Sequence, residues 1–221
     1  VNNNQDFYAF YVNWDVNSER SLRRNIDEID VLIPQWFDLN SKLELKSDIQ
    51  KEIADLAKKH DIKVLPLINN EVNGKWDQEI IHNLLNSPAA QDKLIKNLHQ
   101  QIKQNGFDGI NIDFENLHKN DRDKLTTFMK KLYSTFHADG LMVTIDVPPE
   151  NPAFDYINLE KYCDRMMLML YDENYINPGP IASSSWFEDA LSSIPKDKLI
   201  ASLGNYGYDW DWESQQGGKA V

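Results

Sequence analysis

The stretch Asp108-Gly109-Ile110-Asn111-Ile112-Asp113-Phe114-Glu115 sets two carboxylates two positions apart in an otherwise apolar run. Taken as a β-strand, it puts Gly109, Asn111, Asp113 and Glu115 on one face and Ile110, Ile112 and Phe114 on the other. Same-face neighbours lie roughly 7 Å apart, so each carboxylate perturbs the other's protonation. Where two such groups crowd into a partly buried site, one tends to keep its proton and can serve as a general acid. The plainer alternative is a solvated face of an antiparallel strand on which acids alternate with apolar residues for no chemical reason. The rarity of Asp and Glu in strand interiors weighs against it.

A strand of this kind needs a scaffold. Residues 7–14, 30–37, 63–68, 108–115, 141–147, 165–172 and 198–203 carry the aromatic, β-branched and aliphatic runs of strands. Helical periodicity fills the intervals: a helix capped near Ser18, one through 46–60 with Ile49, Ile53, Leu56 and Ala57 on one stripe, and two divided near Pro88 and closed by Gly106. An amphipathic helix at 121–137, a weak one at 156–162 and another at 186–194 follow, while 69–77 reads as a loop. Mostly continuous apolar strands alternating with helices at a period of roughly 30 residues predict parallel βα units. An open doubly wound sheet competes, but there is no GxGxxG turn after the first strand and no Walker-type loop. The expected fold is an α/β (β/α)8 TIM-type barrel whose eighth strand and helix are missing from this chain. Residues 1–221 are expected to form a single domain, a C-terminally truncated fragment of a larger protein.

A chain of 221 residues, 41% hydrophobic, can bury a sizeable core. Its formal net charge of -12 argues against nucleic acid or an anionic membrane surface as partner and favours a neutral ligand. No apolar run approaches the ~18 residues of a membrane span. The one cysteine, Cys163, excludes an internal disulfide and reads as a buried, inert thiol. Five histidines form no HExxH arrangement, so neither a metal site nor a cofactor is expected.

In parallel barrels functional side chains gather at the carboxyl ends of the strands. That rule selects Asn13, Asp15, Gln35, Trp36, Asn69, Asn70, Asp113, Glu115, Asp146, Tyr171, Asp172, Asn205 and Tyr206. Of the six tryptophans, Trp14 and Trp36 stand at strand ends, where a flat amphipathic ring could stack on a sugar; a core role is equally open to each. Trp76 and Trp186 precede helices and read as packing residues.

Together DGINIDFE (108–115) and MLYD (169–172) resemble the motifs DGxDxDxE and MxYD of the family 18 glycoside hydrolases, the chitinase-like barrels. The chain is also similar to glycosidase-like domains of bacterial envelope proteins that carry polysaccharide deacetylase and glycosyltransferase modules, through YVNWD, LPLINN, PGPIAS and GNYGYDW. Spore-lytic glucosaminidases share much of this pattern. The resemblance implies retaining, substrate-assisted cleavage of an N-acetylglucosamine-containing polysaccharide, chitin-like or peptidoglycan. It makes Glu115 the acid, Asp113 the residue that orients the acetamide, and Tyr171 a hydrogen-bond donor to the acetamido oxygen. Asn111, Trp14, Trp36, Asn69, Met169, Asp172 and Tyr206 become substrate-binding candidates. It further implies a bacterial, extracytoplasmic or secreted setting, no membrane contact by this domain itself, and linked deacetylase and glycosyltransferase domains as partners in the full-length chain. Asn111 departs from the family, standing where many members have an acid that shares a proton with its neighbour; its amide is expected to donate to Asp113. A non-catalytic carbohydrate-binding domain that positions a glycan is the alternative, and a purely structural envelope module is a third reading.

Overall fold

A computed structural model describes residues 6–210 together with 219 and 220. Trp212 lies outside the described residues. Seven parallel strands form the wall: β1 (Tyr8–Tyr11), β2 (Val31–Leu39), β3 (Leu67–Asn69), β4 (Gly109–Asp113), β5 (Met142–Val147), β6 (Arg165–Leu170) and β7 (Leu199–Leu203). They hydrogen-bond in sequence order from β1 to β7, with Lys63–Val64 extending the β3 segment against β2. Helices α1 (Val16–Arg24), α2 (Lys51–Lys59), α3 (Gln78–Leu85), α4 (Pro88–Asn105), α5 (Arg122–His137), α6 (Tyr156–Leu159) and α7 (Ser184–Ser192) occupy the intervals. This is the α/β barrel wall that the alternation of strands and helices predicts.

Strand alternation divides the apolar residues into two cores. Ile110, Ile112, Val143, Ile145, Met166 and Leu168 point outward, buried to 1% exposure or less against the helices. Val31, Ile33, Leu65, Leu67 and Met167 point inward and form a separate, smaller cluster inside the barrel. Gly109 marks a close approach in the wall: a Cβ there would lie 2.1 Å from the Met142 carbonyl oxygen and 2.7 Å from Leu65 Cδ2. Cys163 is fully buried, and burial pushes its thiol up to about 12.

Three local expectations are corrected. Asp15, not Ser18, caps α1, its carboxylate accepting from Asn17 N at 2.9 Å, while Ser18 Oγ accepts from Val12 N. The helix expected over 46–60 begins only at Lys51, because Leu45–Ser47 pairs antiparallel with the end of β2. The expected loop at 69–77 is a β-hairpin, Glu71–Val72 against Lys75–Trp76. Asn73 (φ 53°) and Gly74 (φ 76°) turn it, two successive left-handed residues as a type I′ turn requires.

The β2–β3 pairing is interrupted between Gln35 and Phe37. Gln35 aligns with Leu67, Phe37 with Ile68 and Asp38 with Asn69, so Trp36 is an extra residue in the ladder. The bulge reverses the alternation beyond it. Trp36 and Phe37 both enter the helix-side core, and Asp38 takes the inward position beside Asn69.

Candidate active site

At the carboxyl end of the barrel the register brings side chains into rings. Leu67 aligns with Asn111 and Asn111 with Thr144; one step further along the strands, Asn69 aligns with Asp113. Asn111 is fully buried and both ends of its amide are engaged: Oδ1 accepts from the Thr144 hydroxyl, and Nδ2 donates to Asp146 Oδ2 at 2.7 Å. The expected donation from Asn111 to Asp113 is therefore corrected, since the amide is turned sideways toward β5.

Glu115 lies just past the end of β4, where its peptide is clamped by Asn70. Asn70 Oδ1 accepts from Glu115 N at 2.9 Å, and its Nδ2 donates to the Glu115 carbonyl and to the Asp77 carbonyl, each at 3.0 Å. The next residue, Asn116, adopts φ 55° and donates to the Trp76 carbonyl, while Gln78 donates to the Asn116 carbonyl. The hairpin after β3 thus docks on the end of β4 and fixes the backbone that carries the acid.

The electrostatics are one-sided. Burial pushes Glu115 up to about 7, and the negative charges of Asp172 and Glu71 add to the effect. Asp113 is raised well above the usual carboxylate range by burial, then by Asp146, Glu115 and Glu71. Asp146 is raised by burial and by Glu115, an effect that the Asn111 N–H opposes. Among the described residues no Lys, Arg or His acts on any of the three. Such a cluster holds protons at neutral pH.

Tyr171 follows β6 and feels Asp146, Asp113 and Glu115 together; burial and these charges raise its hydroxyl, which stays a proton donor across the working range of pH. Asp172, at φ 61°, accepts from the hydroxyls of Tyr206 and Tyr208 at 2.7 Å each. A ladder of rings leads outward from it, Tyr171 to Tyr206 at 6.3 Å, Tyr206 to Tyr208 at 5.8 Å and Tyr208 to Trp210 at 5.6 Å.

The structure thus gathers Asp113, Glu115, Tyr171, Asp172, Tyr206, Asn69 and Met169 at one mouth. Asn69 is fully buried, with Oδ1 accepting from Glu71 N and Nδ2 without a partner among the described residues; Met169 points inward beside Ser202. Trp14 is 75% exposed and lines a cleft of about 230 Å³ with Asn13, Gln35, Asp38, Asp48 and Glu71. Trp36 does not join them: at 1% exposure it packs on Phe107, ring centroids 5.5 Å apart, on the other side of the wall. A roomier groove of about 390 Å³ lies between α4 and α5, lined by Asp92, His99 and Lys131, remote from the carboxylates. Asp38, Glu71 and the clamping role of Asn70 escape the sequence reading, and Asp146 enters it only as one strand-end acid among many. Asp38 depends on the bulge, whereas the Asn-Gly turn after Glu71 was a legible hairpin signal.

The sequence profile described as glycosyl hydrolases family 18 matches residues 6–220. The Bacillus subtilis protein named "Putative sporulation-specific glycosylase YdhD" is 30% identical over 185 residues, 78% of this chain and 42% of its own length. The cortical fragment-lytic enzyme of Bacillus subtilis is 25% identical over 181 residues, 75% of this chain and again 42% of the relative. The chain therefore spans about two fifths of the length of these relatives. The crystal structure of a chitinase from Chromobacterium violaceum superposes with a TM-score of 0.88 at 25% identity, covering 98% of this chain and 73% of that one. The Bacillus cereus spore cortex-lytic enzyme SleL, at 22% identity and a TM-score of 0.86, has the same fold.

Proposed function

The chain belongs to glycosyl hydrolase family 18, and from that premise we propose that it cleaves an N-acetylglucosamine-containing polysaccharide, with retention, by a substrate-assisted mechanism. The observation that carries this reading is Glu115, a carboxyl group poised at about 7 beside Asp113 and Tyr171 with its backbone fixed from two sides. A proton available near neutral pH suits transfer to a departing glycosidic oxygen. Asp113, ionised once an acetamide N–H reaches it, would align the acetamide so that its oxygen attacks the anomeric carbon. Tyr171 would donate to that oxygen and disperse the charge that develops on the cyclic intermediate. Water would then attack the anomeric carbon from the face that the leaving group vacated, opposite the acetamide, with Glu115 taking its proton as base.

Relatives named for cortical fragments and for chitin suggest two polymers, a peptidoglycan-type glycan and a chitin-like one. Both lie outside the cytoplasm, which is where the domain would act. Deacetylase and glycosyltransferase domains elsewhere in the full-length protein belong to the same proposal, as does the role of residues 1–221 as one catalytic domain.

The test compares turnover of N-acetylglucosamine oligomers and of a cortex-type peptidoglycan fragment by the chain and by Glu115→Gln. Turnover that vanishes in the variant while calorimetric binding persists supports the enzyme. Equal binding with negligible turnover in both supports the carbohydrate-binding alternative instead.

A further inference from the structure

The loss of an acid at Asn111 leaves Asp113 without a proton-sharing partner on its own strand. The neighbouring strand supplies one. Gly109 aligns with Met142, Asn111 with Thr144 and Ile112 with Ile145, so the next pair in the parallel ladder sets Asp113 beside Asp146. Neighbouring strands are about 4.8 Å apart, and both side chains point into the barrel. Each is buried, at 9% and 3% exposure, and in each the Oδ1 atom has no hydrogen-bond partner among the described residues. Asp146 Oδ2 already accepts from Asn111. The amide of Asn111 has no proton to exchange with a carboxylate; the carboxyl group of Asp146 does.

We infer that Asp146 is a positioning residue that exchanges a proton sideways with Asp113, taking over from β5 the part that Asn111 cannot play. This rests on the proposed glycosidase reading. With the cleft empty, the Asn111 N–H favours negative charge on Asp146, and the proton resides on Asp113. When an acetamide N–H arrives at Asp113, the charge is drawn there instead. The O–H bond on Asp113 breaks, one forms on Asp146 Oδ1, and no proton enters or leaves the site. Glu115 keeps its own proton for the leaving oxygen.

The surroundings leave the pair to itself. Asn69 and Glu71 face it from the end of β3, Asn111 and Glu115 from β4, Thr144 from β5, Met167, Met169 and Tyr171 from β6, and Ser202 from β7. Arg165, at the amino end of β6, is engaged with the Asp164 carbonyl and acts on Tyr8. Neither Glu71 nor Glu115 can stabilise a second negative charge, so the proton has to stay within the pair.

The experiment follows the Asp113 carboxyl carbon by 13C NMR titration in the chain and in Asp146→Asn, alongside kcat and KM against pH on a chromogenic chitotrioside. Asp113 is expected to titrate lower in Asp146→Asn by about one pH unit or more. kcat should fall roughly tenfold or more, KM should stay within about twofold, and the pH profile should shift. Returning an acid to β4, in Asn111→Asp/Asp146→Asn, should recover part of kcat, which a merely structural role would not do. If the amide is not tolerated at 146, Asp146→Ser is read in the same way. An Asp113 titration unchanged by either variant overturns the inference, with or without turnover. Turnover with an unchanged pH profile in Asp146→Asn overturns it while upholding the glycosidase reading. A chain without turnover whose Asp113 titration still shifts upholds the shared proton and refutes that reading.

Discussion

Asn70 holds Glu115 by its peptide rather than by its side chain, accepting from the N–H at 2.9 Å and donating to the carbonyl at 3.0 Å. The carboxyl group is thereby left free for chemistry while its point of attachment is fixed to β3. Because Asn70 also donates to the Asp77 carbonyl, one buried side chain ties the acid, the hairpin and the start of α3 together.

Asn70→Ala removes three hydrogen bonds and leaves buried backbone groups unpaired, a loss of about 1–3 kcal/mol. The displaced acid should also lower kcat by roughly tenfold to a hundredfold. Thermal denaturation together with steady-state turnover checks both; a lower melting temperature with kcat intact would reduce the clamp to a structural role.

Activity should fall as pH rises through about 7, because Glu115 must be protonated to act and burial holds it there. A turnover profile with its alkaline limb near 7 is the expected result. A limb near 4.5, the ordinary value for Glu, would remove Glu115 as the acid.

Stability should move in the same direction. Glu115, Asp113 and Asp146 all titrate higher folded than unfolded, so their contribution is complete below the ordinary carboxylate range and is lost as pH rises. For Glu115 the window runs from about 4.5 to about 7 and is worth about 3 kcal/mol. Asp155, held low by its hydrogen bond from Asn158, acts only below that window. The chain should therefore melt higher at pH 5.5 than at pH 8, and Glu115→Gln should shrink the difference. Equal melting temperatures at the two pH values in the unsubstituted chain would contradict the buried cluster.

Trp14 and Trp36 should separate cleanly. Trp14→Ala, at an exposed position on the cleft, is expected to weaken oligosaccharide binding by roughly tenfold with little change in melting temperature. Trp36→Ala, in the helix-side core, should destabilise by about 3–5 kcal/mol. Calorimetry and denaturant titration distinguish the two effects.

What the sequence reveals follows from what is periodic in it. The alternation in DGINIDFE places Asp113 inward whatever the neighbours do, and Ile110 and Ile112 in the helix-side core with Asn111 aligned to inward Leu67 agree. Helix ends marked by Pro88 and by Gly106, at φ 66°, are equally local signals. Asp38 escapes for the opposite reason, since one extra residue in the β2 ladder exchanges the two faces beyond it and no residue type announces it. Trp36 shares the helix-side face with Leu32, one position from inward Gln35, so a place at the end of a strand does not by itself aim it at the mouth. The direction of the Asn111 amide depends on Thr144 and Asp146, more than thirty positions away on another strand.

The alignment of Asn111 with Thr144 has an evolutionary consequence. In a parallel barrel, side chains at one height converge on the same point from different strands, so a functional group can migrate around the circumference while the backbone stays put. The heritable unit of such a site is a ring of positions, and a consensus taken along a single strand samples only one member of it.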